Sequence, residues 1–315
     1  MIISPCKSGR IDPVWNDLFK EVESKYPIVI VTKLENYVFN QELLKLDKWI
    51  LCCGVEYGWG HNFEETGSHI WGINTFSQDF GFSSNISGFE WGRFDNFIKK
   101  NPPLIVFKRE LMNMPHPDNY YPINYPCWYD IPETQSKEEF DLRPIKANFI
   151  WGLSHEYRKT LHAEIWQRSG ELGYVVCDNI SNIVPFIQKE DNPNKWVTAN
   201  VPYYARFGMD IITSVNTLSK ISISIAGAGR HCFRHSESPM ASVMFLWDDG
   251  IKYSYPWVNN ANCIMSKKGD ELNTIMKALN NPNLYEIYKA GVENCRKYHI
   301  DTYTKDYIGK IINGI

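Results

Sequence analysis

Short runs of consecutive apolar residues recur along the first half of the chain, at 27–32, 48–54 and 103–108. They lack the one-in, one-out alternation of a strand with a wet face, and so read as strands buried on both sides. The stretch 38–46 has helical spacing, which places the first two runs in β-α-β order. Glycine-rich loops follow the second run at 54–61 and 67–72. In an open α/β sheet these would lie beyond the carboxyl ends of the strands, where ligands bind.

The pattern stops at 112–144. Pro115, Pro117, Pro122, Pro126, Pro132 and Pro144 crowd a stretch rich in Tyr, Asn and Asp. Proline removes backbone donors and blocks helix, so this segment reads as an extended linker. Beyond it the alternation resumes. Strands are expected at 146–152, 173–178, 221–226 and 262–266, and helices at 156–169, 210–220, 271–279, 284–298 and 303–312, with a short helix starting near Pro239. The expected organisation is an N-terminal Rossmann-like domain at 1–112, a linker at 113–144, a second Rossmann-like, doubly wound domain at 145–298, and a C-terminal helix at 299–315 packing back across both.

Composition narrows the classes. With 315 residues, 43% hydrophobic and 22% charged, the chain has enough apolar material for large cores. A net charge of -3 leaves no global footprint for nucleic acid or anionic lipid. Lys99, Lys100, Lys108 and Arg109 form a small basic cluster. Eight cysteines show no zinc spacing, which fits a reduced, cytoplasmic setting. The N-terminus has neither a signal-peptide pattern nor a membrane-spanning run.

The chemistry concentrates in 221–257. A strand runs into the turn Gly227-Ala-Gly229 and then into the polar segment Arg234-His-Ser236-Glu237-Ser238-Pro239. Ser238 and Pro239 have the character of an N-cap and first-turn residue, and free amides at such a start suit a pyrophosphate. Arg234 can stabilise phosphate charge through charge-assisted hydrogen bonds, and Glu237 can accept from ribose hydroxyls. Arg and Glu three residues apart also make ordinary surface ion pairs. Upstream, Gly152, Ser154 and Arg158 enter a helix close to the same place, and Tyr204 stands in a polar loop suited to a nucleoside. Asp248 and Asp249 invite a rival reading as a metal-binding carboxylate pair.

This segment resembles the nucleotide-binding segment of exostosin-like glycosyltransferases, in which Arg, Glu three residues later, a short helix, an apolar strand, an Asp and a Pro follow in order. Arg234, Glu237, the run 243–246, Asp249 and Pro256 match. Ser242 stands where that family has Gly, and Phe245 where it has Pro. The resemblance implies a GT-B fold, with two Rossmann-like α/β domains facing across a cleft. It also implies a nucleotide-sugar donor on the C-terminal domain and no essential metal or other cofactor. Direct displacement at the sugar then needs a base from the other side. His61, Glu64 and Asp79 are the candidates, and Trp59, Trp71 and Trp91 are candidate stacking residues for the acceptor. A glycan, viral or bacterial, is the expected acceptor. The alternatives are a hydroxymethylated DNA base, and a nucleotide- or sugar-binding protein with no transfer activity.

Overall fold

The computed structural model describes residues 2–3, 13–31, 41–54, 96–111, 113, 115–149, 156–168, 209–225, 231–248 and 250–314. Two parallel sheets carry the described chain. The first has five strands in the order β1 (Ile2–Ile3), β2 (Ile28–Val31), β3 (Ile50–Cys53), β4 (Ile105–Arg109) and β5 (Tyr120–Ile123). The second has four, β6 (Ile145–Asn148), β7 (Ser219–Ile223), β8 (Val243–Trp247) and β9 (Ile264–Ser266). The described strands of each sheet lie side by side in chain order.

Why the apolar runs are unbroken is visible in the packing. In the first sheet Ile28, Ile30, Ile50, Cys52, Ile105 and Phe107 turn to one face, where Trp15, Leu18 and Phe19 of helix α1 (Pro13–Lys20) cover them. Val29, Val31, Leu51, Cys53 and Val106 turn to the other, against Leu43, Trp49, Phe97 and Ile98. The two-residue period of a strand requires an apolar residue at every position when both faces are covered. Gly54 follows β3 because α1 leaves no room there: a Cβ would come within 2.3 Å of the Trp15 indole.

The proline-rich segment departs from the expected linker. Tyr120–Ile123 pairs with β4, placing Pro122 opposite Lys108. Among the described strands β5 is an edge, where a residue with no N–H is tolerated. Further on, Ser136 and Glu139 form a reciprocal capping box on the short helix α2 (Lys137–Asp141). Of the expected helix at 38–46 the described part is a 3₁₀ turn, Gln41–Lys45. The expected strand at 173–178 lies outside the described residues.

In the second half, helices α3 (Glu156–Gln167) and α4 (Met209–Thr217) precede β7. The chain closes with α6 (Glu271–Leu279), α7 (Leu284–Lys297) and a helical run at 300–313 whose centre, Tyr303–Gly309, is π-helical. That run returns to the first half. The Tyr303 hydroxyl accepts from the Asn124 N–H at 3.0 Å, and the Tyr307 hydroxyl donates to the Pro122 carbonyl at 2.9 Å. Gly291 of α7 admits the 258–262 loop, since a Cβ there would sit 2.8 Å from the Asn262 carbonyl.

Strand β8 joins the cores. Val243, Phe245 and Trp247 face a cluster with Ala147, Ile221, Ile223 and Ile264, under Leu284, Ile287 and Tyr288 of α7. Met244 and Leu246 face the opposite way, into the cluster that holds Phe107, Ile123, Tyr125 and Tyr303. Replacing Leu246 by Ala leaves a hole between the halves and should lower unfolding stability by about 2–5 kcal/mol. Leu142→Ala, at a side chain 82% exposed, should change it by less than about 0.5 kcal/mol. Chemical denaturation of the two variants checks both, and equal effects would contradict the packing described.

Candidate functional site

The residues that end the strands of the second sheet build the site. Beyond Ser224 and Ile225 the next described segment is His231, Cys232 and Phe233, followed by one helical turn, α5 (Arg234–Glu237), and a 3₁₀ turn, Ser238–Met240, leading into β8. Arg158, on the first turns of α3, reaches the same place and donates to the Ile225 carbonyl at 2.6 Å. It is 4% exposed, and burial pushes its guanidinium down to about 10, with Arg234's charge adding to the drop. Two cations therefore share the space beyond β6 and β7.

The expected Ser238-capped helix is replaced by something tighter. Helix α5 begins at Arg234, after Phe233, which supplies no side-chain cap; Ser238 closes it and opens the 3₁₀ turn Ser238–Met240, with Pro239 in the first turn as expected but with no cap from the Ser238 side chain. A four-residue turn has no appreciable macrodipole to offer a phosphate. The cationic side chains at this point are those of the two arginines.

The turn is braced from below by a buried polar chain. The Asn148 amide donates to Asn216 Oδ1 at 3.0 Å, the Ser222 hydroxyl donates to Asn148 Oδ1 at 3.1 Å and accepts from the Ser238 hydroxyl at 3.0 Å, and Asn216 donates to the Glu237 carbonyl at 3.3 Å. The hydroxyls of Ser236 and Ser238 are thus committed inside the protein, Ser236 to the Phe233 carbonyl at 2.7 Å. Ser242, which departs from the exostosin-like pattern, hydrogen-bonds the Ser238 carbonyl at 2.8 Å, a bond glycine cannot make. Phe245, the other departure, is a core residue of β8.

From the first sheet, the carboxyl end of β4 clamps this loop. Glu110, in the left-handed region at φ 57°, accepts the His231 N–H at 2.8 Å on its carboxylate. Arg109 donates to the His231 carbonyl and to the Gly54 carbonyl at 3.4 Å, with its guanidinium 4.4 Å from the centre of the Tyr125 ring. Tyr125 in turn stacks on Phe233 at 4.0 Å and on His231 at 5.4 Å. Lys108 and Arg109 are 2% and 1% exposed, so the basic cluster read from the sequence is not a surface patch. Burial lowers Lys108 to about 8, with Cys53 and Glu110 opposing the drop.

Charges at the two ends of α5 act on different neighbours. Arg234 acts on Arg158 and Cys232, whereas Glu237 acts on Tyr129 and Cys127 of the proline-rich segment. Asp248 is exposed beyond β8. Among the described residues no group of three or more His, Cys, Asp or Glu could hold a metal ion. The sequence reading missed His231, Cys232, His235 and Glu110. The first three lie within the stretch 221–257, as a histidine and cysteine cluster around Arg234 that could have been read. His61, Glu64, Asp79, Gly152, Ser154, Tyr204, Gly227, Gly229 and Asp249 lie outside the described residues, as do Trp59, Trp71 and Trp91.

No family model and no curated protein matches the chain. Solved structures do match. HepE of Anabaena, crystallised with UDP, aligns over 100% of this chain and 99% of its own, at 9% identity and a TM-score of 0.50. A variant of S. aureus TarM, in complex with fondaparinux, α-GlcNAc-glycerol and UDP, aligns over 94% of this chain at 13% identity and a TM-score of 0.49. The GtfA/B complex aligns over 96% of this chain at 9% identity and a TM-score of 0.48. The chain spans 57% of the TarM structure and 60% of the GtfA/B one. HepE is a GT-B glycosyltransferase. The chain has the GT-B fold.

In this GT-B chain the carboxyl ends of β4 and β7 meet through Arg109, Glu110 and His231, and buried histidines lie on the second half's side of that meeting. Burial holds His162 of α3 down to about 4, and His231 is pushed well below its usual range by burial, His235 and Arg109. Unfolding exposes these rings to water, where they protonate near the ordinary value of 6.5. Stability should therefore be full above that pH and fall as pH drops toward 4, because the unfolded chain binds protons that the folded one refuses. Urea unfolding at pH 7 and pH 5 should show the loss, and His162→Gln should remove part of it. A variant as pH-sensitive as the parent would refute the assignment to His162.

Proposed function

We propose that this protein is a nucleotide-sugar-dependent glycosyltransferase whose donor sits beyond β6 and β7, with a glycan hydroxyl as acceptor. The observation that carries the reading is Arg158, buried and fixed on the Ile225 carbonyl at the carboxyl edge of the second sheet of a GT-B fold, with the positive charge of Arg234 acting on it. UDP bound to HepE supports the same class of ligand. Arg158 and Arg234 hold the diphosphate and offset the charge that builds on it as the glycosidic bond breaks. Glu237 accepts from the ribose hydroxyls, as in the exostosin-like segment that this stretch resembles. No metal is assigned a role, because two guanidinium groups supply the counter-charge. The acceptor hydroxyl is deprotonated by His61, Glu64 or Asp79, and the sugar passes by direct displacement. A glycan is preferred to a DNA base because Lys108 and Arg109 are buried, leaving half of the basic cluster to meet a phosphate backbone. Among the described residues no helix is long and apolar enough to cross a membrane.

UDP should raise the melting temperature, as any ligand specific for the folded state does. Arg234→Ala should weaken that binding roughly 10- to 100-fold, the loss of charge-assisted bonds worth about 1.5–3 kcal/mol. Glu237→Ala should weaken nucleoside diphosphates more than inorganic pyrophosphate, which has no ribose. A panel of nucleotide sugars, assayed for hydrolysis and for transfer, tests the enzyme itself. Binding without turnover of any donor would reduce the protein to a nucleotide-binding module, and no binding would sink the donor site.

Replacing the catalytic base should cost about 10²- to 10⁴-fold in kcat while leaving UDP binding in place. His61→Ala, Glu64→Gln and Asp79→Asn make the comparison. Full turnover in all three would remove them as candidates together.

A further inference from the structure

Cys232 lies in the loop of the proposed donor site, two residues before Arg234. Nδ1 of His235 lies 3.3 Å from its sulfur, and the Arg158 guanidinium hydrogen-bonds to it while also holding the Ile225 carbonyl. Of the described cysteines, Cys52, Cys53, Cys127, Cys263 and Cys295 are buried and Cys232 is half-buried. The charged and titratable groups that act on it are His235 and Arg234 from α5 and Arg158 from α3.

Burial by itself would raise this thiol, yet His235, Arg158 and Arg234 outweigh it and bring Cys232 down to about 6. Cys53 and Cys263 show the opposite outcome, with burial driving both thiols up. A second observation points to an anion at the same spot. Arg158, itself 4% exposed, is held near enough to Arg234 for the two positive charges to oppose each other. Such a pair is relieved by a negative group placed against both. The Cys232 thiolate is one such group, and a diphosphate is another.

We propose that Cys232 is a reactive thiolate built into the donor-phosphate site, open to soft electrophiles such as hydroperoxides, and that its modification and nucleoside diphosphate binding exclude each other. The exclusion rests on the donor-site reading above; the reactivity does not. With a hydroperoxide the thiolate attacks one peroxide oxygen, so that an S–O bond forms and the O–O bond breaks. The departing oxygen leaves with the electron pair and takes a proton from His235 or water. Sulfur is oxidised by two electrons to the sulfenic acid and the peroxide is reduced. The added oxygen then stands beside the Arg158 guanidinium that hydrogen-bonds to the sulfur.

Iodoacetamide is the probe, because its step is simple: the S–C bond forms, the C–I bond breaks and iodide leaves. Peptide mapping of the full chain should show Cys232 alkylated about fivefold faster at pH 6.5 than N-acetylcysteine, its greater thiolate fraction being partly offset by lower nucleophilicity. Its rate should level off above about pH 7, while that of an ordinary thiol climbs through about 8.5. His235→Gln should slow the labelling, and saturating UDP should protect. Treatment with hydrogen peroxide or iodoacetamide should abolish the UDP-induced melting shift of the parent. Cys232→Ser, compared with its own untreated sample, should keep whatever shift it has. A Cys232 rate no greater than that of N-acetylcysteine overturns the reactivity. Treated parent that binds UDP as before overturns the exclusion. If untreated protein binds no nucleoside diphosphate, the donor site and the exclusion fail together, and the labelling rate still decides the reactivity.

Discussion

Met244 and Leu246 turn from β8 into the core that contains Phe107, Ile123 and Tyr125 of the first half, while Val243, Phe245 and Trp247 turn into the core under α7. One strand thus contributes to two cores, and neither half can shift against the other without exposing apolar surface at about 25 cal/mol per Å². Tyr303, Thr304 and Tyr307 of the C-terminal run reinforce the same seam with hydrogen bonds to Asn124, the Leu18 carbonyl and the Pro122 carbonyl. The site depends on this packing, because its parts come from both sides of it.

On that frame the loop before β8 is held at three levels. Below it runs the chain Asn216, Asn148, Ser222, Ser238 and Ser242, every link a hydrogen bond between buried groups. From the first sheet, Glu110 and Arg109 grip the His231 backbone from both its N–H and its carbonyl. From the side, Glu271 takes the Trp247 indole N–H and the Tyr157 hydroxyl, each at 2.7 Å, which fixes the start of α3 and with it Arg158. Buried polar groups left unpaired are costly, so a network this connected favours one arrangement of the loop over its alternatives. Rigid placement of cations is what electrostatic stabilisation of a leaving phosphate needs.

The buried charges divide by purpose. Arg143, at the amino end of the second sheet, donates to the Ser219 and Ala241 carbonyls, tying β7 to β8, and lies against both rings of the stacked Phe140–Tyr288 pair. Arg158 sits at the opposite, carboxyl end with a second cation beside it. Both are desolvated, but only Arg158 faces a like charge. That asymmetry is the reason the proposed donor phosphate is assigned to the carboxyl edge.

How much of this was legible in the sequence follows from range. The strands 27–32, 48–54 and 103–108 announced themselves because a strand covered on both faces must be apolar throughout, and the helices at 271–279 and 284–298 because their periodicity is local. Arg158, Arg234 and Glu237 were also legible, as polar residues placed just past strand ends. The fifth strand was not: Tyr120–Ile123 contains Pro122, and a free β4 edge across from it is what makes the segment a strand. The helix expected near Pro239 is a 3₁₀ turn, Ser238–Met240, without its expected cap, since the Ser238 hydroxyl found Ser222 and not a backbone amide. Glu110, clamping a loop 121 residues away, carries no sequence signal at all. The sequence by itself determined the elements and the residue types at the strand ends, because those depend on neighbours along the chain. Only the tertiary structure decided that Arg158, Arg234, Cys232 and Glu110 meet at one loop, because that meeting depends on two sheets sharing one core.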